Sequence, residues 1–138
     1  MDNQPLISLL EELDLVVPYE TENEVTSFLL TQWKLLKEEL ETLYRNRDQK
    51  TTKEGMKKGI GLFIHFLYWS NDIQIKSNAL KPLDSLDLKP VNLDERLGFV
   101  VRRPNLFHSY RQLSELMTEQ EKILAKKNIV KKRLDLKG

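Results

Sequence analysis

The sequence predicts an all-α protein: a single compact bundle of four main helices plus a short N-terminal helix, organised around a central apolar helix near residues 52–73. Three observations carry this. Ile60 to Trp69 is apolar at nearly every position, so a helix here has no polar face and must be buried all round. Elsewhere the apolar residues recur with a helical period. Hairpin dipeptides such as Asn-Gly or Asp-Gly are absent, and so is any sustained period-two alternation.

Each element has its own grounds. Leu6, Leu9, Leu10 and Leu13 have helical spacing and Pro18 stops any continuation, giving a short helical arm over residues 1–18. That arm either docks on the bundle or seeks a groove on another protein. Thr21 and Glu24 have capping-box spacing and open a helix near 22–46. Its stripe is Val25, Phe28, Leu29, Trp33, Leu36, Leu40, Leu43 and Tyr44. Thr51 and Glu54 repeat the capping spacing and open the central helix. Gly55, Gly59 and Gly61 weaken it by roughly 1 kcal/mol each relative to alanine. Close packing against a neighbour is the natural compensation, and Gly59 or Gly61 is expected to mark it.

Lys76 to Pro90 reads as an extended connection with clipped-on leucines, in which Pro82 could open a short turn. Asn92 and Glu95 give a third capping signal, for a helix near 92–102. Pro104 suits the first turn of a last helix near 104–132. The bundle proper spans residues 19–125, and residues 126–138 form a basic helix end and tail.

Composition narrows the function. The chain has 138 residues and no cysteine, which excludes a disulfide framework, a thiolate metal site and a cysteine nucleophile. Two histidines, His65 and His108, are too few for a histidine-rich metal centre, and no metal or cofactor is expected. The longest apolar run falls short of the ~20 residues that span a bilayer, and the first residues lack a basic signal-peptide region, so the expectation is a cytoplasmic protein without a membrane partner. Charge is uneven: residues 1–44 sum to −8 and residues 45–138 to +9, for a net +1. Either acidic and basic helices of one bundle attract each other, or the basic part meets a charged partner.

No catalytic residue stands out. Gly55 to Gly61 superficially looks like a phosphate loop but lacks the Lys-Ser/Thr pair after its last glycine. His65, inside the apolar helix, reads as a core histidine with one hydrogen bond. Two basic clusters are candidates for an anion or a partner. Arg102, Arg103, His108 and Arg111, with Arg96 nearby, gather around Pro104 at a helix start, where arginines bind phosphate or carboxylate bidentately. The competing reading is internal neutralisation by Asp94, Glu95 and Glu115, including an Arg111–Glu115 pair one turn apart. Lys50, Lys53, Lys57 and Lys58 form a weaker second patch at the start of the central helix.

The blocks Phe63 to Asn71, Lys89 to Asn92, Glu95 to Phe99 and Arg103 to Tyr110, in that order, resemble the YpoC-like family of uncharacterised bacterial proteins over roughly residues 20–125. The resemblance implies a small cytosolic helical protein with no assigned activity and no site residues to carry over. The sequence therefore favours a non-enzymatic binding or adaptor protein whose partner is another protein. The alternative is a nucleic-acid-binding accessory protein using the basic surface after residue 45. An enzyme would need a pocket around His65, Tyr68 and Trp69 or around Arg103 and His108. Oligomeric state is not encoded in any feature of the chain.

Overall fold

The computed structural model describes residues 22–73, 75 and 81–137. The arm expected at residues 1–18 and the Thr21 cap lie outside them. Among the described residues four helices follow in order: α1 (Glu22–Arg45), α2 (Gln49–Ser70), α3 (Leu93–Arg102) and α4 (Phe107–Lys137). One 3-10 turn, Leu83–Ser85, interrupts the connection between α2 and α3, directly after Pro82. No strand occurs among the described residues.

The α1 stripe folds as its period dictates. Val25, Leu29, Trp33, Leu36 and Leu40 are buried, and Phe28, Leu43 and Tyr44 pack against the same core. Each fully buried side chain of this kind is worth about 1.5–3 kcal/mol of transfer free energy. α1 stops in a Schellman turn: Asp48 N–H donates to the Leu43 carbonyl (3.2 Å) and Arg47 N–H to that of Tyr44 (3.1 Å). Arg47 occupies the left-handed position, φ 56°, where glycine is usual.

The same tight turn starts α2 one turn earlier than the Thr51–Glu54 spacing predicts. Asp48, not Thr51, is the N-cap, and its Oδ1 accepts the Thr51 N–H at 3.1 Å. With so few residues between the helices, the carboxylate that ends one turn is already placed to cap the next.

α2 is the centre of the bundle. Every residue from Gly59 to Tyr68 is buried, as an apolar run without a polar face requires. Gly59 marks a close approach on two sides: a Cβ there would lie 3.1 Å from both Leu113 of α4 and Trp33 of α1. Gly55 does the same against Leu40 of α1, at 2.8 Å. The glycine cost within the helix is thus exchanged for helix contact on two sides.

A second Schellman turn, with Asp72 at φ 61°, closes α2. Leu83 and Leu86 of the following connection are buried, as leucines clipped onto the bundle. α3 does not use the expected side-chain cap. Asn92 sits at φ 57°, in the left-handed region and not the extended one that capping side chains use, and makes no side-chain cap bond among the described residues. α3 is locked to α4 by Arg96, which reaches Glu119 and Gln112 and donates to the Val91 carbonyl at 3.0 Å.

Pro104 is not in the first turn of α4. Arg103 leaves the helix at φ −132°, as a residue before proline must, and α4 begins only at Phe107. Tyr110, Leu113, Leu116, Met117 and Leu124 of α4 enter the core. The helix crosses residue 126 without a break and ends at Lys137, beyond the expected 132, since its basic last turns suit the negative end of the helix dipole. From Asn128 to Asp135 every side chain is exposed. No described helix is long and apolar enough to cross a membrane.

Candidate functional site

The turn between α1 and α2 packs beside the turn between α3 and α4. Tyr44, in the last turn of α1, joins them: its hydroxyl donates to the Pro104 carbonyl at 2.8 Å. Burial pushes the Tyr44 phenol up to about 12, so it stays a neutral donor. Its ring meets Phe107 edge to face at 5.5 Å and Tyr110 at 5.7 Å. Phe107 and Tyr110 are themselves 5.5 Å apart. The Tyr110 hydroxyl donates to Glu41 Oε1 at 2.7 Å, and burial, followed by that bond, raises its pKa.

Beside this aromatic cluster lies a cavity of about 570 Å³ lined by Glu41, Tyr44, Arg45, Arg47, Gln49, Thr52, Asn105, Leu106 and Phe107. Leu106 is 43% exposed and Phe107 51%. Arg45 and Arg47 are exposed and make no ion pair among the described residues. A wall of apolar surface with unpartnered guanidinium groups at its edge suits an anionic ligand that has an apolar part.

The residues singled out from the sequence fall around this corner. Arg102, Arg103, His108 and Arg111 are all exposed, and none forms an ion pair among the described residues. The Arg102 guanidinium lies along its own helix, 3.1 Å from where a Cβ on Gly98 would sit. His108 packs edge-on against Phe99 at 5.5 Å, fastening the end of α3 to the start of α4. The expected Arg111–Glu115 pair is not formed, nor do Asp94 and Glu95 neutralise the arginines. Arg96 alone of the group is neutralised, by Glu119. The lysines of the second patch divide: Lys50, Lys53 and Lys58 are exposed, whereas Lys57 is half-buried and has a partner.

The alternative pocket around His65, Tyr68 and Trp69 takes a different form. His65 is buried, its Nδ1 has no hydrogen-bond partner among the described residues, and burial lowers its pKa to about 4. The single hydrogen bond expected of a core histidine is therefore missing at that atom. Tyr68 donates to the Lys81 carbonyl, and Trp69 packs against the core. Among the described residues no cluster of three or more His, Asp or Glu could hold a metal. Asp94 and Asp84 do meet, and burial first, then their shared hydrogen bond, raises the Asp94 pKa.

Sequence reasoning missed the cavity. Tyr44 was named only as a member of an apolar stripe, and Phe107, Arg45 and Arg47 were not singled out. The detectable signal was Arg45-Asn46-Arg47, two arginines in a turn too short to shield them.

Comparison with known proteins agrees with the chain's own blocks. The model of the YpoC-like protein family matches residues 23–132. The uncharacterised protein YpoC of Bacillus subtilis (strain 168) is 30% identical over 113 residues, covering 80% of this chain and 69% of that protein. No solved structure matches. The chain belongs to the YpoC-like family.

Proposed function

We propose that this member of the YpoC-like family is a non-enzymatic binding protein that acts through contact with another protein, made at the corner where the α1–α2 and α3–α4 turns meet. One observation carries the reading: Leu106 and Phe107 are held half-exposed beside a cavity edged by Arg45 and Arg47. Exposed apolar side chains grouped with unpaired arginines are the usual composition of a contact surface. The polar atoms that line the cavity argue against catalysis there. The Tyr44 hydroxyl is engaged by the Pro104 carbonyl, and Glu41 Oε1 accepts the Tyr110 hydroxyl.

The test is quantitative affinity capture from the native host with the wild-type chain and with a Phe107→Ser, Arg45→Ala double variant. Both substitutions are at exposed positions, so thermal melting should change little. The expected result is a protein captured by the wild type and lost with the variant. Equal capture by both would end the reading.

A second reading, contact with nucleic acid, is supported by the exposed end of α4, which carries Lys126, Lys131, Lys132 and Arg133. Its mark would be duplex DNA binding that weakens steeply with salt, because each phosphate contact releases counterions.

A further inference from the structure

We infer that the corner cavity takes an acidic segment of the partner protein, one that places a large apolar side chain next to a carboxylate. This rests on the protein-contact reading and makes it specific. The cavity, about 570 Å³, is within the range that encloses a sizeable apolar group. Its wall is preorganised: Tyr44 is pinned by the Pro104 carbonyl and braced against Phe107 and Tyr110. An entering side chain would therefore meet rings that need not be ordered on binding.

Charge fixes the rest of the ligand. The lining holds two cations, Arg45 and Arg47, and one carboxylate, Glu41, whose Oε1 already accepts the Tyr110 hydroxyl. Lys50 and Lys53 follow the lining residue Gln49 along α2, and Arg111 lies one helical turn beyond Phe107. All three are exposed. A cationic segment would be repelled, and a neutral one would leave the guanidinium forks unused. The cations extend over a turn or more of two helices, further than a small carboxylate reaches. The aromatic rings meet edge to face or tilted, so they form a wall and not a platform on which successive bases could stack. That geometry favours a peptide over a nucleic acid.

The experiment is selection of displayed random peptides of about twelve residues on the full chain, with affinities of the selected peptides measured by fluorescence anisotropy. Selected peptides should carry Asp or Glu within two positions of Phe, Leu, Ile or Trp. Arg45→Glu and Arg47→Gly should each weaken binding about tenfold, the scale of one lost charge-assisted hydrogen bond. Peptides without an acidic residue would overturn the inference, as would a loss smaller than about threefold in both variants, on the same energy scale. Displacement of the peptide by a single-stranded DNA oligonucleotide at equal concentration would overturn it as well, in favour of a nucleic-acid ligand. A partner captured through Phe107 whose matching peptides show no acidic preference would end this inference and leave the protein-contact reading intact.

Discussion

The two ends of α2 are built in opposite ways. At its C-terminal end several polar side chains are tied to backbone groups. The Asn71 side chain donates to the Leu67 and Leu88 carbonyls and accepts the Leu88 N–H, each at 2.8 Å. Gln120 also donates to the Leu88 carbonyl at 3.0 Å, and Lys127 donates to that of Ser70 at 2.8 Å. At its N-terminal end, Arg45 and Arg47 make no ion pair among the described residues, and Leu106 and Phe107 stand half in solvent. One end spends its side chains on holding α2, α4 and the connection together. The other keeps chemistry in reserve, which is what a contact surface requires.

The largest test of this contrast sets two phenylalanines against each other. Phe63 is fully buried and Phe107 is half-exposed. Phe63→Ala should lower the unfolding free energy by about 4 kcal/mol, from lost transfer plus the cavity left behind. Phe107→Ala should cost less than about 1 kcal/mol, since water already covers much of the ring. Urea denaturation measures both, and similar losses would break the comparison.

Asn71→Ala should come next, at about 2 kcal/mol, because it strands the Leu88 N–H inside the closed end. Arg45→Ala at the open end should stay within about 0.5 kcal/mol. A costly Arg45→Ala would mean that the open end is structural too.

Acidification should act through the core between the two ends. His65 has a pKa lowered by burial from 6.5 to about 4. Below 6.5 the unfolded chain takes up a proton that the folded chain refuses, so stability falls as pH falls. From pH 7.5 to pH 5 the loss from this group is about 2 kcal/mol, and it is complete only below about 4. His65→Gln should flatten that part of the profile in a series of urea titrations. An unchanged slope would show that His65 is not the group responsible.

A smaller effect, of opposite sign, is the most specific. Arg47 is held at φ 56°, a conformation that costs a non-glycine residue about 1 kcal/mol. Arg47→Gly should raise stability by up to about that amount while weakening binding at the corner. A fall in melting temperature would remove the idea that strain is tolerated here for the sake of the guanidinium.

What the sequence made legible was what depends on period and composition. The α1 stripe, the burial of Ile60 to Tyr68 and the close packing at Gly59 all follow from residues read along one helix. The Asp48 cap was hidden because Thr51 and Glu54 offered a competing signal three residues on. The Arg96–Glu119 pair and the cavity were hidden for a different reason. Each joins segments far apart in the chain, as Tyr44 and Pro104 are, and no local pattern announces such a meeting. Four arginines and a histidine near Pro104 could be read as a cluster, but only the fold separates Arg96, which is paired, from Arg102, Arg103 and Arg111, which are not paired among the described residues.

The most direct test compares photo-crosslinking from the two ends of α2. A benzoyl-phenylalanine is placed at Phe107, 51% exposed at the open corner, or at Val91, 74% exposed near the closed end. Each variant is irradiated in the native host. The expected result is a discrete cross-linked protein from position 107 that is missing from position 91 and lost when Arg45 and Arg47 are also replaced by alanine. The same adduct from both positions, or one at 107 that survives loss of both arginines, would contradict a contact surface at the α1–α2 and α3–α4 corner.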